Sequence, residues 1–339
     1  MSEADLLPIV SHAPPPPPPP CPPVHLLSSD PSSKDTEQRG QSKGLISNSP
    51  ALCLSAIEQG RKAVKNLTLQ GLWSTQKHRE DVILSCYNPV RPILQNGPVC
   101  GLVALSMASQ LLKESHTSAD DIFSEAQKRG FSKQGEMFSV LHMKELSSHF
   151  LNCSVEHLVL RNDGHVEQSE LLQIIKHLLQ RNVLLVPYDA DKNHSPCQKR
   201  GHKAHWALLT GIVMAFQNLD YFSSSARNAC TVDTEIPTLY YWPESPPLNL
   251  CEDLATTASA LAFQREGSSP FSCIRFYVYG HQGKSKHAGI WSLSDLLQSN
   301  AQLEEAGPER NIEDYIIPPE GVSVGLKAQM LIFKRGRDY

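Results

Sequence analysis

In the stretch Gln95-Asn-Gly-Pro-Val-Cys100-Gly-Leu-Val-Ala-Leu, a cysteine stands at the expected mouth of a helix with a glutamine five residues upstream. That arrangement suits a nucleophilic thiol. A thiol attacks a carbonyl as its thiolate, and an ordinary cysteine is mostly protonated at neutral pH. Two influences could change that for Cys100. The unpaired N–H groups of a helix start favour an anion, and a nearby histidine could take the proton. Gln95 could donate its side-chain N–H to a developing oxyanion. The alternative reading of Cys100 is a core cysteine at a helix start, because cysteine is among the most buried residue types.

The elements that must position these groups can be read from pattern. Pro98 cannot continue a helix backwards, and Gly97 and Gly101 permit close approach of backbone. Leu102, Leu105, Met107, Ala108, Leu111 and Leu112 then recur at helical spacing. Further helices are expected over 51–67, over 119–129 with Asp120 and Asp121 in the first turn and a stop at Gly130, over 139–150 with Ser139 as cap, and over 169–179. Strands are expected at 81–86, 154–160, 182–188, 205–214, 274–279 and 329–334. A helical front half followed by strands predicts an α+β fold, helices packed on an antiparallel sheet. Residues 217 to about 270, with Ser223-Ser-Ser225, Pro243, Pro246, Pro247 and Ser268-Ser-Pro270, read as an insertion of uncertain order within a domain spanning 51–339. Residues 1–50 read as a disordered proline-rich tail. Its seven consecutive prolines, Pro14 to Pro20, predict a polyproline II rod, either a recognition ligand or a stiff spacer.

A thiolate of this kind needs a histidine held by a rigid element. His205 opens the apolar run Trp-Ala-Leu-Leu-Thr-Gly-Ile-Val-Met and is expected to serve as general base and acid. His202, in the polar loop before it, is the second choice. A competing chemistry is metal binding: His194, Cys197, His202 and His205 are four zinc-compatible ligands in one short stretch, though their spacing matches no standard finger. The catalytic reading calls for no metal and no cofactor. A third group should orient the imidazole. Gln282, after the 274–279 strand, is the best-placed amide, with a plain turn glutamine as its alternative, and Asn300 is another candidate.

Bulk composition narrows the classes. A net charge of −4 gives no overall drive toward nucleic acid or acidic membranes. No apolar run approaches the ~20 residues of a membrane span, and the acidic start MSEADLLPIV does not read as a secretory signal. Nine scattered cysteines are not a disulfide framework, which points to a reduced, cytoplasmic setting.

Four strings together resemble one family, the actin maturation proteases, which have a papain-like fold. They are QNGPVCGLVAL, QGEMFSV at 134–140, VPYDADKNHSPCQKRGHKAHWAL, and GHQGKSKHAGIW with SNAQL, and the similarity runs from about residue 80 onward. The proline-rich start is also similar to that family's, where it engages profilin. More distantly, Gln95, Cys100 and His205 resemble the peptidase domains that trim bacteriocin leaders. The resemblance implies a cytosolic aminopeptidase that removes N-acetylated methionine or cysteine from the acidic N-terminus of actin, with Cys100 as nucleophile. Gln95 and His205 take their roles from papain-like logic. On that basis Lys199, Arg200 and Lys203, before His205, with Lys284 and Lys286 after Gln282, would form a basic rim reading the acidic residues beyond the scissile bond; the alternative is an ordinary solvated loop. Two other classes stay open. One is a Cys–His acyltransferase with an amine acceptor. The other is a non-catalytic adaptor whose proline rod binds partners beside a zinc module.

Overall fold

The 13-residue apolar run from Ala204 to Phe216 is long enough to organise a whole sheet, and in the computed structural model it does so. The structure describes residues 50–70, 81–112, 116–161, 165–263, 273–308 and 311–335; the proline tail lies outside them. In chain order the elements are α1 (Pro50–Leu69), β1 (Val82–Tyr87), α2 (Cys100–Leu112), α3 (Ala119–Lys128), α4 (Val140–Phe150), β2 (Ser154–Val159), α5 (Gln168–Leu179), β3 (Val183–Asp189) and β4 (Ala204–Phe216). They continue with α6 (Ser224–Ala229), β5 (Thr231–Val232), β6 (Leu239–Tyr241), α7 (Leu248–Phe263), β7 (Ile274–His281), β8 (Gly289–Ser292), α8 (Leu293–Asn300), α9 (Val322–Leu326) and β9 (Gln329–Lys334). The expected helices and strands are all present within a residue or two. Caps set several boundaries: the Ser118 hydroxyl accepts from the Asp121 amide at 3.0 Å, and Ser139 accepts from the His142 amide at 3.2 Å.

β4 carries three neighbours. One of its edges holds β3 along residues 204–209 and then β1 along 211–216, while β7 lies on the other edge from 208 to 216. Where the edge passes from β3 to β1, a Cβ at Gly211 would fall 2.0 Å from the Cys86 carbonyl oxygen, so only glycine fits. The alternation along β4 sorts the core into two layers. Ala207, Leu209, Ile212, Met214 and Phe216 join the layer that holds α5, α7 and α8. Trp206 and Leu208 join the layer that holds α2 and α4, and Val213 and Ala215 pack with α1.

One expectation is corrected. The sheet is mixed, not purely antiparallel: β6 runs parallel to β1, with Ile83 opposite Leu239. A parallel neighbour needs a long connection: the chain from α2 to β5 lies between β1 and β6, and residues 217–238 carry its last part from β4 to β6. The same segment shows that most of the 217–270 stretch is folded. It contributes α6, β5, β6 and α7, with 264–270 outside the described residues. Buried polar groups bolt it down. Trp242 donates its indole N–H to the Leu179 carbonyl at 2.8 Å, and the Arg181 guanidinium donates to the carbonyls of Trp242 (2.5 Å), Tyr87 (2.7 Å) and Pro243 (3.1 Å).

A second clamp ties α1 to the inserted strands. Arg61 donates to Asp233 at 2.8 Å, with Glu235 and Thr234 as further partners, and the Tyr241 hydroxyl donates to Asp233 at 2.6 Å. Burial alone would raise the Asp233 carboxyl. The hydrogen bonds from Arg61, Tyr241 and the amides of Glu235 and Ile236 outweigh it and hold the group well below the ordinary carboxylate range. A carboxyl depressed in the folded state adds stability that is fully present above its unfolded value, about 4, and is lost as pH falls through the folded value. Asp233→Asn should therefore lower Tm at neutral pH, and its gap to the wild type should narrow steadily as pH falls below about 4. Thermal melts across that range measure it.

Candidate functional site

Cys100 is the first residue of α2 and is 7% exposed. Every residue from Cys100 to Ser109 is buried, so the helix runs straight into the core from its mouth. The chain reaches it through Gly97, whose φ of +80° is the left-handed turn that glycine permits. The helix then rests on β4 at close range: a Cβ on Gly101 would lie 3.1 Å from Cδ1 of the Trp206 ring. Trp206 donates its indole N–H to the Met137 carbonyl at 2.9 Å. Gly135, at φ +109°, presses on Val99, where a Cβ would come within 2.4 Å of Cγ1. The 135–137 segment thus forms one wall of the Cys100 mouth.

His205 is the second residue of β4, next to Trp206, and is half-buried. Its register partner is Tyr188 of β3, whose ring stands edge-on to the imidazole at 5.9 Å. The His194 ring lies nearly parallel to it at 6.4 Å. The Tyr188 hydroxyl donates to the His194 carbonyl at 2.9 Å. Burial first, then the negative charge that the Cys100 and Cys197 thiols can carry, pushes Tyr188 well above the usual tyrosine range. Tyr188 is therefore a neutral neighbour of both thiols.

Gln95 is held from two sides. Its backbone N–H donates to the Gly283 carbonyl at 2.7 Å, and its side-chain Nε2 donates to the Gly97 carbonyl at 2.7 Å. The second bond orients the amide, because a flipped group would set two oxygens face to face. One Nε2 proton goes to Gly97, which leaves the other for a ligand. Gly283 has no side chain where one would collide: a Cβ there would sit 2.8 Å from Gln95 Oε1.

Gln282 is buried, and its Oε1 accepts from the Lys284 amide at 2.7 Å, as a turn glutamine does. Asn300 is wholly buried and works elsewhere. Its amide donates to the carbonyls of Pro187 (2.8 Å) and Gln329 (3.1 Å), tying α8 to β3 and β9. Of the five cations expected to line a rim, Lys199 pairs with Asp191 at 2.6 Å, and Arg200 lies 3.6 Å from Glu304 and 3.4 Å from Glu305. Lys203 is exposed and has no ion pair among the described residues. Lys284 and Lys286 are exposed as well.

The four residues weighed as zinc ligands do not converge on one point. His202 Nε2 lies 2.9 Å from Glu305 Oε1, and Cys197 is pushed up to about 11 by burial and by the Asp189 carboxylate. Among the described residues, no group of three or more such side chains is placed to hold a metal ion. No disulfide joins the described cysteines, and no described helix is long and apolar enough to cross a membrane.

Sequence reasoning passed over several residues of this region. Tyr188 and Trp206 sit in apolar strand runs and carried no chemical signal. Gly283 stood in a short polar string. His281 was also missed: its Nε2 lies 3.1 Å from the Tyr87 hydroxyl, and burial pushes it down to about 4, so it stays neutral.

Comparison with known proteins places this arrangement in context. Residues 90–213 match the family model described as actin maturation protease-like, C-terminal domain. The chain is 36% identical over 248 residues to an actin maturation protease from Mus musculus, covering 71% of this chain and 61% of that protein. It is 34% identical over 284 residues to the one from Homo sapiens (81% and 72%), and 34% identical over 251 residues to the one from Danio rerio (72% and 72%). The chain thus spans a little under two thirds of the mouse relative's length. No solved structure matches the chain.

The Trp206 bond can be weighed directly. Trp206→Phe keeps the ring against Gly101 but strands the buried Met137 carbonyl, a loss of about 1–3 kcal/mol. Urea unfolding should show a lower midpoint with an unchanged slope.

Proposed function

The chain belongs to the actin maturation protease family, and from that premise we propose that it is a cysteine aminopeptidase of papain-like fold. It removes an N-acetylated first residue, methionine or cysteine, from the acidic N-terminus of actin. The observation that carries this reading is the closure of the Cys100 helix mouth onto the strand that bears His205. A nucleophile at a helix start and a base at a strand start are thereby set on two rigid elements in contact.

The chemistry follows from those positions. The Cys100 thiol gives its proton to His205, its thiolate attacks the carbonyl carbon of the acetylated first residue, and the carbonyl π electrons move to oxygen. The remaining Nε2 proton of Gln95 and the Cys100 N–H hold that oxyanion. As it collapses, the C–N bond breaks and His205 protonates the departing amine of the second residue. Water then attacks the thioester and gives its proton to His205. As that second intermediate collapses, the C–S bond breaks, the acetyl-amino acid leaves, and His205 returns its proton to the Cys100 thiolate. Gln282 orients the imidazole through the second lone pair of Oε1, the first being held by the Lys284 amide.

Lys199, Arg200 and Lys203 form the rim for the acidic residues. Lys199 and Arg200 share their charge with Asp191, Glu304 and Glu305, so an acidic substrate must displace those partners. Lys203 meets no such competition. The Pro14–Pro20 run binds profilin, which brings actin to the site by raising its effective concentration. That substrate places the enzyme in the cytoplasm.

Intact-mass analysis of actin N-termini tests the reading. Cys100→Ala should leave the acetylated residue in place, and full processing by that variant would end the proposal. Gln95→Ala should lower kcat by about 10²–10³. On an acidic-start peptide, Lys203→Glu should lower kcat/KM about fivefold at low salt, as an exposed pair is worth up to about 1 kcal/mol, and the difference should shrink as salt is added. Lys199→Glu should do less.

A further inference from the structure

The loop that leads into His205 is wrapped around one buried carboxylate. Asp189 ends β3 and is 0% exposed. Among the described residues no cation lies within ion-pair distance of it. Beside the Cys197 thiol, its partners are three main-chain amides: Oδ2 accepts from Lys199 N–H at 2.5 Å and Gly201 N–H at 3.1 Å, and Oδ1 accepts from Lys203 N–H at 3.4 Å. Arg200 and Gly201, at φ +61° and +88°, take the left-handed conformations that turn those amides inward. The backbone of Asp189 is held just as closely. Its N–H donates to Ser299 Oγ at 2.9 Å, and its carbonyl accepts from Ser299 Oγ at 2.9 Å and from Cys197 N–H at 2.8 Å.

A buried carboxylate without a cation is expensive, so what it holds matters. Asp189 is the register partner of Ala204, and the next pair is Tyr188 with His205. The Ala190 amide donates to the Lys203 carbonyl at 3.2 Å, closing the same end of the loop. His194, whose ring lies over His205, belongs to the loop that Asp189 gathers. The carboxylate therefore sets both the entry of the chain into β4 and the loop that covers the imidazole.

We propose that Asp189 is a positioning residue for the reaction: it holds the 190–203 loop by main-chain hydrogen bonds and so fixes the His205 ring in working geometry. It touches no substrate. The proposal rests on the peptidase reading for its kinetic consequence, but its structural consequence stands apart from that reading.

The test uses Asp189→Asn and Ser299→Ala in the full chain, with Asp233→Asn as a destabilised control far from the loop. Asp189→Asn should lower kcat about a hundredfold, the scale of a small misplacement of a reacting group, with KM within about twofold and with the acid limb of the kcat/KM–pH profile displaced. Ser299→Ala should move the same quantities in the same direction by less. Hydrogen exchange should speed up in 190–203 for both variants and not in the control. If Asp189→Asn loses thermal stability as the control does, yet keeps its kcat per folded molecule and its pH profile, the proposal is overturned. If Asp189→Asn does not fold, Ser299→Ala decides alone, and an unchanged profile and unchanged loop exchange would refute it. If the wild type cleaves nothing, the peptidase reading fails. In that event the loop exchange and the rate of Cys100 alkylation by iodoacetamide still decide, since both change in Asp189→Asn only if the carboxylate holds this site together.

Discussion

The contact between Gly101 and the Trp206 ring is the constraint on which the site depends. A helix can bring its first residue to the edge of a sheet only if its second residue has no side chain at the crossing. With a Cβ 3.1 Å from Cδ1 of Trp206, the helix would have to rise off the strand or the indole would have to turn. Either movement carries Cys100 away from β4. The indole is not at liberty to turn, because its N–H is bonded to the Met137 carbonyl, and that segment is itself pressed on Val99 through Gly135. Helix mouth, strand and wall form one closed set of contacts, each made possible by a glycine or an aromatic N–H.

Around that set, much of the positioning is done by the main chain. Gln95 is fixed through its own amide to the Gly283 carbonyl, the histidine loop through three amides on Asp189, and the inserted segment through carbonyls on Arg181. Bonds of this kind follow chain path, not residue type. They explain how loops with many polar residues hold still beside a buried thiol, where a side-chain network would demand that every partner be satisfied.

They also explain what could and could not be read from the sequence. α2 and β4 were legible because their apolar residues recur at 3.6 and at unbroken spacing, with Cys100 at the helix start and His205 at the strand start. The inserted segment was not, because β5 and β6 are two and three residues long, too short for a period to show, and the pairing of β6 with β1 is parallel and distant in sequence. Gln282 is a case where residue type pointed one way and local structure has a second claim: its oxygen holds a turn amide. Asp189 could have been noticed as a lone acid closing the run Val-Leu-Leu-Val-Pro-Tyr, yet nothing in the string says that three amides fold back onto it.

The charges near His205 show the same limit most sharply. Lys199, Arg200 and Lys203 are equivalent in the sequence, three cations within five positions. In the fold they differ, because the α8–α9 connection brings Glu304 and Glu305 to Arg200, and the turn of the loop itself brings Asp191 to Lys199. Their side chains remain more than half exposed, so these pairs are weak and exchangeable. A strongly acidic ligand can compete for such cations, whereas a neutral one has no reason to disturb them. The internal acids thus offset the charges of Lys199 and Arg200, and Lys203 is left without an ion pair among the described residues.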